Sequence, residues 1–239
     1  MKKILLSLFT ALSVSAMAQG VVINDENAEK RNIAGSFTAI KVSNGIELVL
    51  TQGDEESVVV SAARAEYLQK FKTIVENGTL KIYLEKSDFN WINTGKRKLR
   101  AYVSFTTLKK IQGSSGAQVT THQAIKAGEL EMDFSSGASF NGEVEATALQ
   151  VEQNSGGEVK LKGKADKLTV SVNSGAIFQG YDFVTQYCDA RASSGAGIRI
   201  LVTKEINASA NSGAAIKFKG DAGIKELSVN SGGSVKRVS

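Results

Sequence analysis

The chain has no proline among 239 residues, where average usage of about 5% would place roughly a dozen. Proline breaks a strand interior by removing a ladder N–H, so its absence agrees with a long stack of paired strands. One cysteine, Cys188, excludes an internal disulfide and leaves the fold to its core. One histidine, His122, with that one cysteine cannot supply a usual zinc ligand set. A single histidine is also too little to activate a series of serine nucleophiles. The formal charge of +5 falls to +3 once Lys2 and Lys3 are set aside, too weak a bias for nucleic acid, which is not expected as a partner.

Lys2 and Lys3 precede an apolar run, Ile4 to Val14, interrupted only by Ser7, Thr10 and Ser13. Ala16-Met17-Ala18 then supplies the small-x-small cleavage pattern of a secretory signal, so residues 1–18 are assigned as a signal peptide. The run is shorter than the roughly 20 residues of a transmembrane helix, and no later run is longer. The expectation is an exported chain, mature from Gln19, without a membrane span: periplasmic, at the cell surface or secreted. No cysteine near the cleavage point offers a lipoprotein anchor.

What the chain has in quantity is a repeat. A Ser-Gly pair preceded by Ser or Asn recurs as Ser115-Gly116, Ser136-Gly137, Ser155-Gly156, Ser174-Gly175, Ser194-Gly195, Ser212-Gly213 and Ser231-Gly232. The glycines lie 21, 19, 19, 20, 18 and 19 residues apart, and Ala or Gly follows each. Three positions after the glycine stand Val119, Phe140, Val159, Phe178, Ile198, Ile216 and Val235; five before it, Ile111, Met132, Val151, Val170, Ala190, Ala208 and Leu227. Around these columns apolar residues alternate with period two, as in Leu168-Thr169-Val170-Ser171-Val172, the mark of a strand buried on one face. A unit this short buries that face only by stacking on its own copies. The prediction is an all-β fold: a solenoid of about seven coils, each with two or three short strands. The Ser-Gly column forms its corner, where glycine permits positive φ and the small residue after it lets coils approach.

Phe37 to Ile46, with Ser43-Asn44-Gly45, followed by Glu47 to Gly53, resembles the opening of the head GIN domain family of putative auto-transporter adhesins. Asn77-Gly78-Thr79-Leu80-Lys81-Ile82, Leu99-Arg100-Ala101-Tyr102-Val103, and Leu108 to Ile111 leading into Ser114-Ser115-Gly116-Ala117 continue the match across nearly the whole mature chain. The resemblance implies a right-handed parallel β-helix-like fold and an envelope setting. It brings no ligand, cofactor or site residues. Gln118 stands where many relatives carry an acidic residue, so it implies no acidic site at that corner.

Residues 19–105 read as a β-rich region with a degenerate repeat, and residues 106–239 as the solenoid. Aligning Gly45 on the repeat glycine puts Ile40, Val42 and Leu48 in apolar columns. Val58 to Val60 and Leu80 to Leu84 add strands, and Ala62 to Phe71 a short helix. Residues 86–98 break the pattern. Phe89 and Trp91 stand there beside Lys96, Arg97 and Lys98, a set that can stack on sugar or anchor a protein partner, or fold back as a lid.

No catalytic constellation, metal site or cofactor motif emerges, and the chain is read as a non-enzymatic binding module, adhesin-like, for a glycan or protein. The first alternative is a scaffold assembling through its coil ends, a homo-oligomer. The second, less favoured, is a polysaccharide-degrading enzyme using Asp133 and Glu152, which share a column. Lys160, Arg199, Lys217 and Lys236 share another and form a partial basic stripe. Cys188 falls in a column of Leu130, Leu149, Leu168 and Ile206, which predicts a buried thiol. Ser239 lies seven residues past the last repeat glycine, and that end is expected to be shielded by Lys236 and Arg237 or covered in an oligomer.

Overall fold

The computed structural model describes residues 17–18, 21–22, 25, 27–85 and 98–239. β1 (Met17–Ala18) and β2 (Val21–Val22) form a small antiparallel pair. The remaining described strands make one 17-stranded sheet wound around the core. In chain order they begin with β3 (Glu29–Arg31), β4 (Ala39–Val42), β5 (Glu47–Gln52) and β6 (Ser57–Ser61). Helix α1 (Ala65–Lys70) follows, then β7 (Phe71–Glu76), β8 (Thr79–Leu84) and β9 (Arg100–Phe105). The repeats occupy β10 (Lys110–Gly113), β11 (Gln118–Thr121), β12 (Ile125–Phe134), β13 (Ser139–Gln153) and β14 (Glu158–Val172). They continue through β15 (Ile177–Ala192), β16 (Gly197–Ala210), β17 (Ala215–Lys219), β18 (Gly223–Val229) and β19 (Ser234–Arg237).

The columns read from the sequence are the parallel registers of the coils. Ile111 pairs with Met132, Met132 with Val151, Val151 with Val170, Val170 with Ala190, Ala190 with Ala208 and Ala208 with Leu227. After the corner the ladder runs Val119, Phe140, Val159, Phe178, Ile198, Ile216 and Val235. These side chains are buried until the last coil, because each is covered by the equivalent residue one coil away. One expectation changes. The strands are not short: β13 and β14 have 15 residues each and β15 has 16, since each segment runs on around the bend opposite the corner, with register shifts at Lys160/Lys162, Gly180/Val184 and Thr185/Tyr187.

At each corner the Ser-Gly pair forms a tight turn with both residues at positive φ. Ser115 and Gly116 have φ of 52° and 75°, and Ala117 N–H donates to the Ser114 carbonyl at 3.2 Å. This is the type I′ pattern, in which a non-glycine residue at the first central position is usually Asn or Asp. Glycine therefore fills one of two positive-φ positions, and serine fills the other. The turn turns its peptides along the solenoid axis, so the ladder continues through it. Gly116 N–H donates to Ser136 O at 3.0 Å, Gly137 to Ser155 at 3.1 Å, and the series proceeds to Gly213 and Ser231 at 3.1 Å. The serine hydroxyls at the first central position face solvent, a structural corner ridge.

The degenerate copy is a full coil. β4 pairs with β10 and β5 with β11, with Ile40 opposite Ile111 and Leu48 opposite Val119. Its corner, Asn44-Gly45 at φ 63° and 68°, continues the ladder by donating from Gly45 N–H to Ser115 O at 2.9 Å. On its other side lie β8, beside β4, and β9, beside β5. The first coil in the chain is therefore not at the end of the stack; β8 and β9 lie outside it. Antiparallel strands finish that end, β7 on β8 through an Asn77-Gly78 hairpin and β6 on β9, with β3 on β6. Helix α1 joins β6 to β7 and buries Tyr67 and Leu68 in the tube mouth. Antiparallel pairing stops a parallel stack from extending, which is how this end manages its exposed edge.

Candidate functional site

Of the pattern-breaking segment, Phe89, Trp91, Lys96 and Arg97 lie outside the described residues, and Lys98 is exposed with φ 43°. Glu85 N–H donates to Lys70 O at 2.9 Å and its carboxylate meets Lys72 Nζ at 3.0 Å, while Leu99 is buried and its carbonyl accepts Glu47 N–H at 2.9 Å. β8 and β9 flank β4 and β5, so residues 85–99 connect the strands that the other coils join by a tight turn. The segment thus starts and ends in line with the serine ridge, at the capped end of the solenoid.

The coils present two outward faces, one before the corner and one after. On the face before it, Asp133 and Glu152 are direct neighbours in register, as their column predicted. Gln112 Nε2 donates to Asp133 at 3.2 Å and Gln150 Nε2 to Glu152 at 3.0 Å. Lys110 Nζ pairs with Glu131 at 2.8 Å, and that hydrogen bond outweighs burial to raise the lysine above its ordinary pKa, with Asp133 and Glu152 adding to the field. Lys110 and Glu131 thus pair charge across coils, while Asp133 and Glu152 each accept from a glutamine.

The face after the corner differs. Lys160, Gln179, Arg199, Lys217 and Lys236 succeed one another in register, so the basic stripe is real and broken only by Gln179. Gln179 Nε2 donates to Glu158 at 2.7 Å. Lys219, two residues after Lys217, lies 5.2 Å from the centre of the Tyr181 ring.

A cluster that spacing does not suggest sits on β9. Asp25 accepts hydrogen bonds from Ser61 Oγ and Tyr102 OH, both at 2.8 Å, and from Arg100 Nη1 at 3.1 Å. Arg100 Nε also donates to Glu47 at 2.6 Å, which with Asp25 raises the guanidinium further. Burial pushes Asp25 up, but the Ser61 and Tyr102 hydrogen bonds and the Arg100 charge outweigh it and hold the carboxyl below its ordinary value. Burial and the bond to Asp25 raise Tyr102. The cluster ties the segment before β3 to the solenoid wall. Asp25→Asn should cost about 1–2 kcal/mol, as lost hydrogen bonds to a charged group do, and should speed proteolytic removal of that segment. A depressed folded-state pKa contributes stability that is complete above the unfolded value of about 4 and disappears as pH falls through the folded value. Melting curves should therefore show the parent and the variant converging below about pH 4.

At the far end Ile224, Leu227 and Val229 are 47%, 56% and 45% exposed, although their columns are buried elsewhere. Arg237 shields part of this end: its guanidinium lies 5.2 Å over the Phe218 ring and donates to Ala222 O. Nearby, a register shift between Ile206 and Asn207 leaves Lys225 as the extra residue of β18 and turns it to Glu205 at 3.2 Å. Beside this bulge is a shallow polar hollow that includes Asp189, Arg191, Asn207 and Glu226. Cys188 is a buried free thiol, with burial raising its pKa. It is an inert core residue.

The model of the family described as putative auto-transporter adhesin, head GIN domain, matches residues 36–222. No functionally curated protein matches the chain. Among solved structures, a putative adhesin from Bacteroides fragilis is similar over 88% of this chain and 96% of its own, with 18% identity and a TM-score of 0.80. A putative adhesin from Parabacteroides distasonis covers 90% of this chain and 98% of its own, at 15% identity and a TM-score of 0.71. A putative lipid binding protein from the same organism covers 89% and 97%, at 20% identity and a TM-score of 0.61. At these identities the likeness is one of fold, whereas the family match spans most of the chain. The chain belongs to the head GIN domain family of putative auto-transporter adhesins.

Proposed function

We propose that this protein is an exported, non-enzymatic recognition module of the cell envelope, adhesin-like, that meets a glycan or protein partner through a rigid solenoid. The observation that supports this most is the continuous ladder through the corners, from Gly45 to Ser231, which holds outward side chains at a fixed spacing of about 4.8 Å per coil. Such a surface is stiff and periodic, and binding costs it little ordering entropy. The segment 86–98, with Phe89, Trp91, Lys96, Arg97 and Lys98, is the second contact element of the proposal, since its ends lie in line with the corner ridge.

The test is binding of residues 19–239 to a glycan and host-matrix array, with Trp91→Ala in parallel. Saturable binding lost in the variant supports the module and locates contact on the segment. Binding that survives supports the module and moves contact to a solenoid face. No binding to any feature overturns it.

A scaffolding role has its own support in the exposed Ile224, Leu227 and Val229, which a second copy would cover. Light scattering at rising concentration decides that point: a strict monomer with no salt dependence removes the scaffold.

A further inference from the structure

We infer that the face after the corner, centred on Arg199, Lys217 and Lys236, is a binding site for an anionic polysaccharide carrying uronate or sulfate groups. This deepens the recognition-module reading and rests on it. The three cations are direct neighbours across parallel strands, Arg199 opposite Lys217 and Lys217 opposite Lys236, about 4.8 Å apart from one coil to the next. Like charges directly opposite in a sheet repel and destabilise it. Elsewhere this chain relieves such charges internally, as Lys110 does with Glu131 and Lys225 with Glu205. Here the adjoining outward column offers Gly197, Ala215 and Ser234, none of which can neutralise a cation. Lys219 adds a further positive charge on the same strand as Lys217.

Edge protection does not explain the row. Charges that deter strand pairing belong on an edge strand, and only Lys236 of the three is on one; β16 and β17 are both paired on each side. The uncompensated charge therefore calls for an external anion. The row is straight, parallel to the solenoid axis, and advances by about one pyranose ring per coil. Gly197, Ala215 and Ser234 on one side of it leave a low shelf along which a chain can lie, with Lys219 on the other side. A linear polysaccharide with a regularly repeated acidic group satisfies all three conditions. Single-stranded nucleic acid would ask for a series of aromatic platforms along the track, and this stretch has Tyr181 alone, already against Lys219.

The experiment is titration of residues 19–239 with chondroitin sulfate and with polygalacturonate, using dextran as the neutral control and duplex DNA as the competing polyanion. The expected result is saturable binding to at least one acidic polysaccharide, none to dextran, and weakening as NaCl is raised. Lys217→Glu should weaken that binding by about tenfold or more, as loss of a charge contact followed by repulsion implies. The same substitution relieves repulsion, so its melting temperature should equal or exceed that of the parent, which separates lost contact from lost fold. Lys30→Glu, on β3 at the capped end, should bind like the parent. Failure to bind either acidic polysaccharide at low salt, unchanged affinity in Lys217→Glu, or tighter binding to DNA overturns the inference. If neutral glycans or proteins on the array still bind, the recognition module stands and only this ligand class falls.

Discussion

Gly163→Ala is expected to abolish soluble expression, whereas Gly175→Ala leaves a folded protein. Both glycines lie in the repeat and both have positive φ, 107° and 70°. They differ in what surrounds them. A Cβ on Gly175 meets nothing within 4 Å, so alanine there bears only the left-handed backbone, about 1–2 kcal/mol. A Cβ on Gly163 would stand 2.2 Å from the carbonyl oxygen of Val144, which is backbone in the adjacent coil and cannot rotate away. Val144 and Gly163 are in register, so relief would require separating two coils that the whole ladder holds together. Strain and overlap together should exceed about 4 kcal/mol, in the range where single substitutions unfold a domain. Soluble yield and thermal melting read the difference. A soluble Gly163→Ala protein melting with the parent would show that the coils at this bend yield far more readily than a continuous ladder implies.

The second large effect concerns the interior of a single coil. The residues three and five positions after the corner glycine share the interior of a coil, and in two coils a phenylalanine stands beside a glycine, Phe178 with Gly180 and Phe140 with Gly142, where others pair Val159 with Leu161, Ile198 with Ile200 and Ile216 with Phe218. The Phe178 ring fills the space above Gly180, where a Cβ would stand 2.6 Å from its Cε1. Phe178→Val should cost about 2–4 kcal/mol through the cavity it opens. Gly180→Leu alone should cost more than about 4 kcal/mol, because the ring and the neighbouring strand already occupy its volume. The double variant copies the Val159 and Leu161 pair of the preceding coil. It should recover at least half of the summed losses, with a coupling of about 2 kcal/mol or more, as residues sharing one cavity show. Denaturant titrations of the four proteins measure that coupling. Simple additivity would mean the two positions do not share space.

How far the sequence could be read follows from which interactions repeat. The corner columns and inward ladders were legible because parallel in-register stacking places like on like, so each contact is written once per coil. Val159 meets Phe178 and Phe178 meets Ile198 for the same reason that all three stand three residues after a glycine. The Asn44-Gly45 coil was legible on the same alignment. The basic stripe followed too, since a column is a neighbour list. Legibility ended where a contact occurs once. Asp25 meets Arg100 across 75 positions, and nothing periodic marks either residue. Ser115 and its equivalents gave no sign of their positive φ, because serine is an unusual occupant of that turn position.

Periodicity and composition were therefore sufficient for the class of fold, the length of the coil and the identity of the corner. Repeated burial of one face has a single economical solution, and a chain without proline can continue its ladder without a break. The order of the coils was settled only by tertiary structure. β4 and β5 come first in the chain yet lie between β8–β9 and β10–β11, because a parallel pair can accept a new coil on either side with equal hydrogen bonding. The antiparallel finish by β6 and β7, the helix across the tube mouth and the unneutralised cations of β16, β17 and β19 were settled there as well. Each depends on which surface is left over once the coils have stacked, a property of the assembled stack and not of any one repeat.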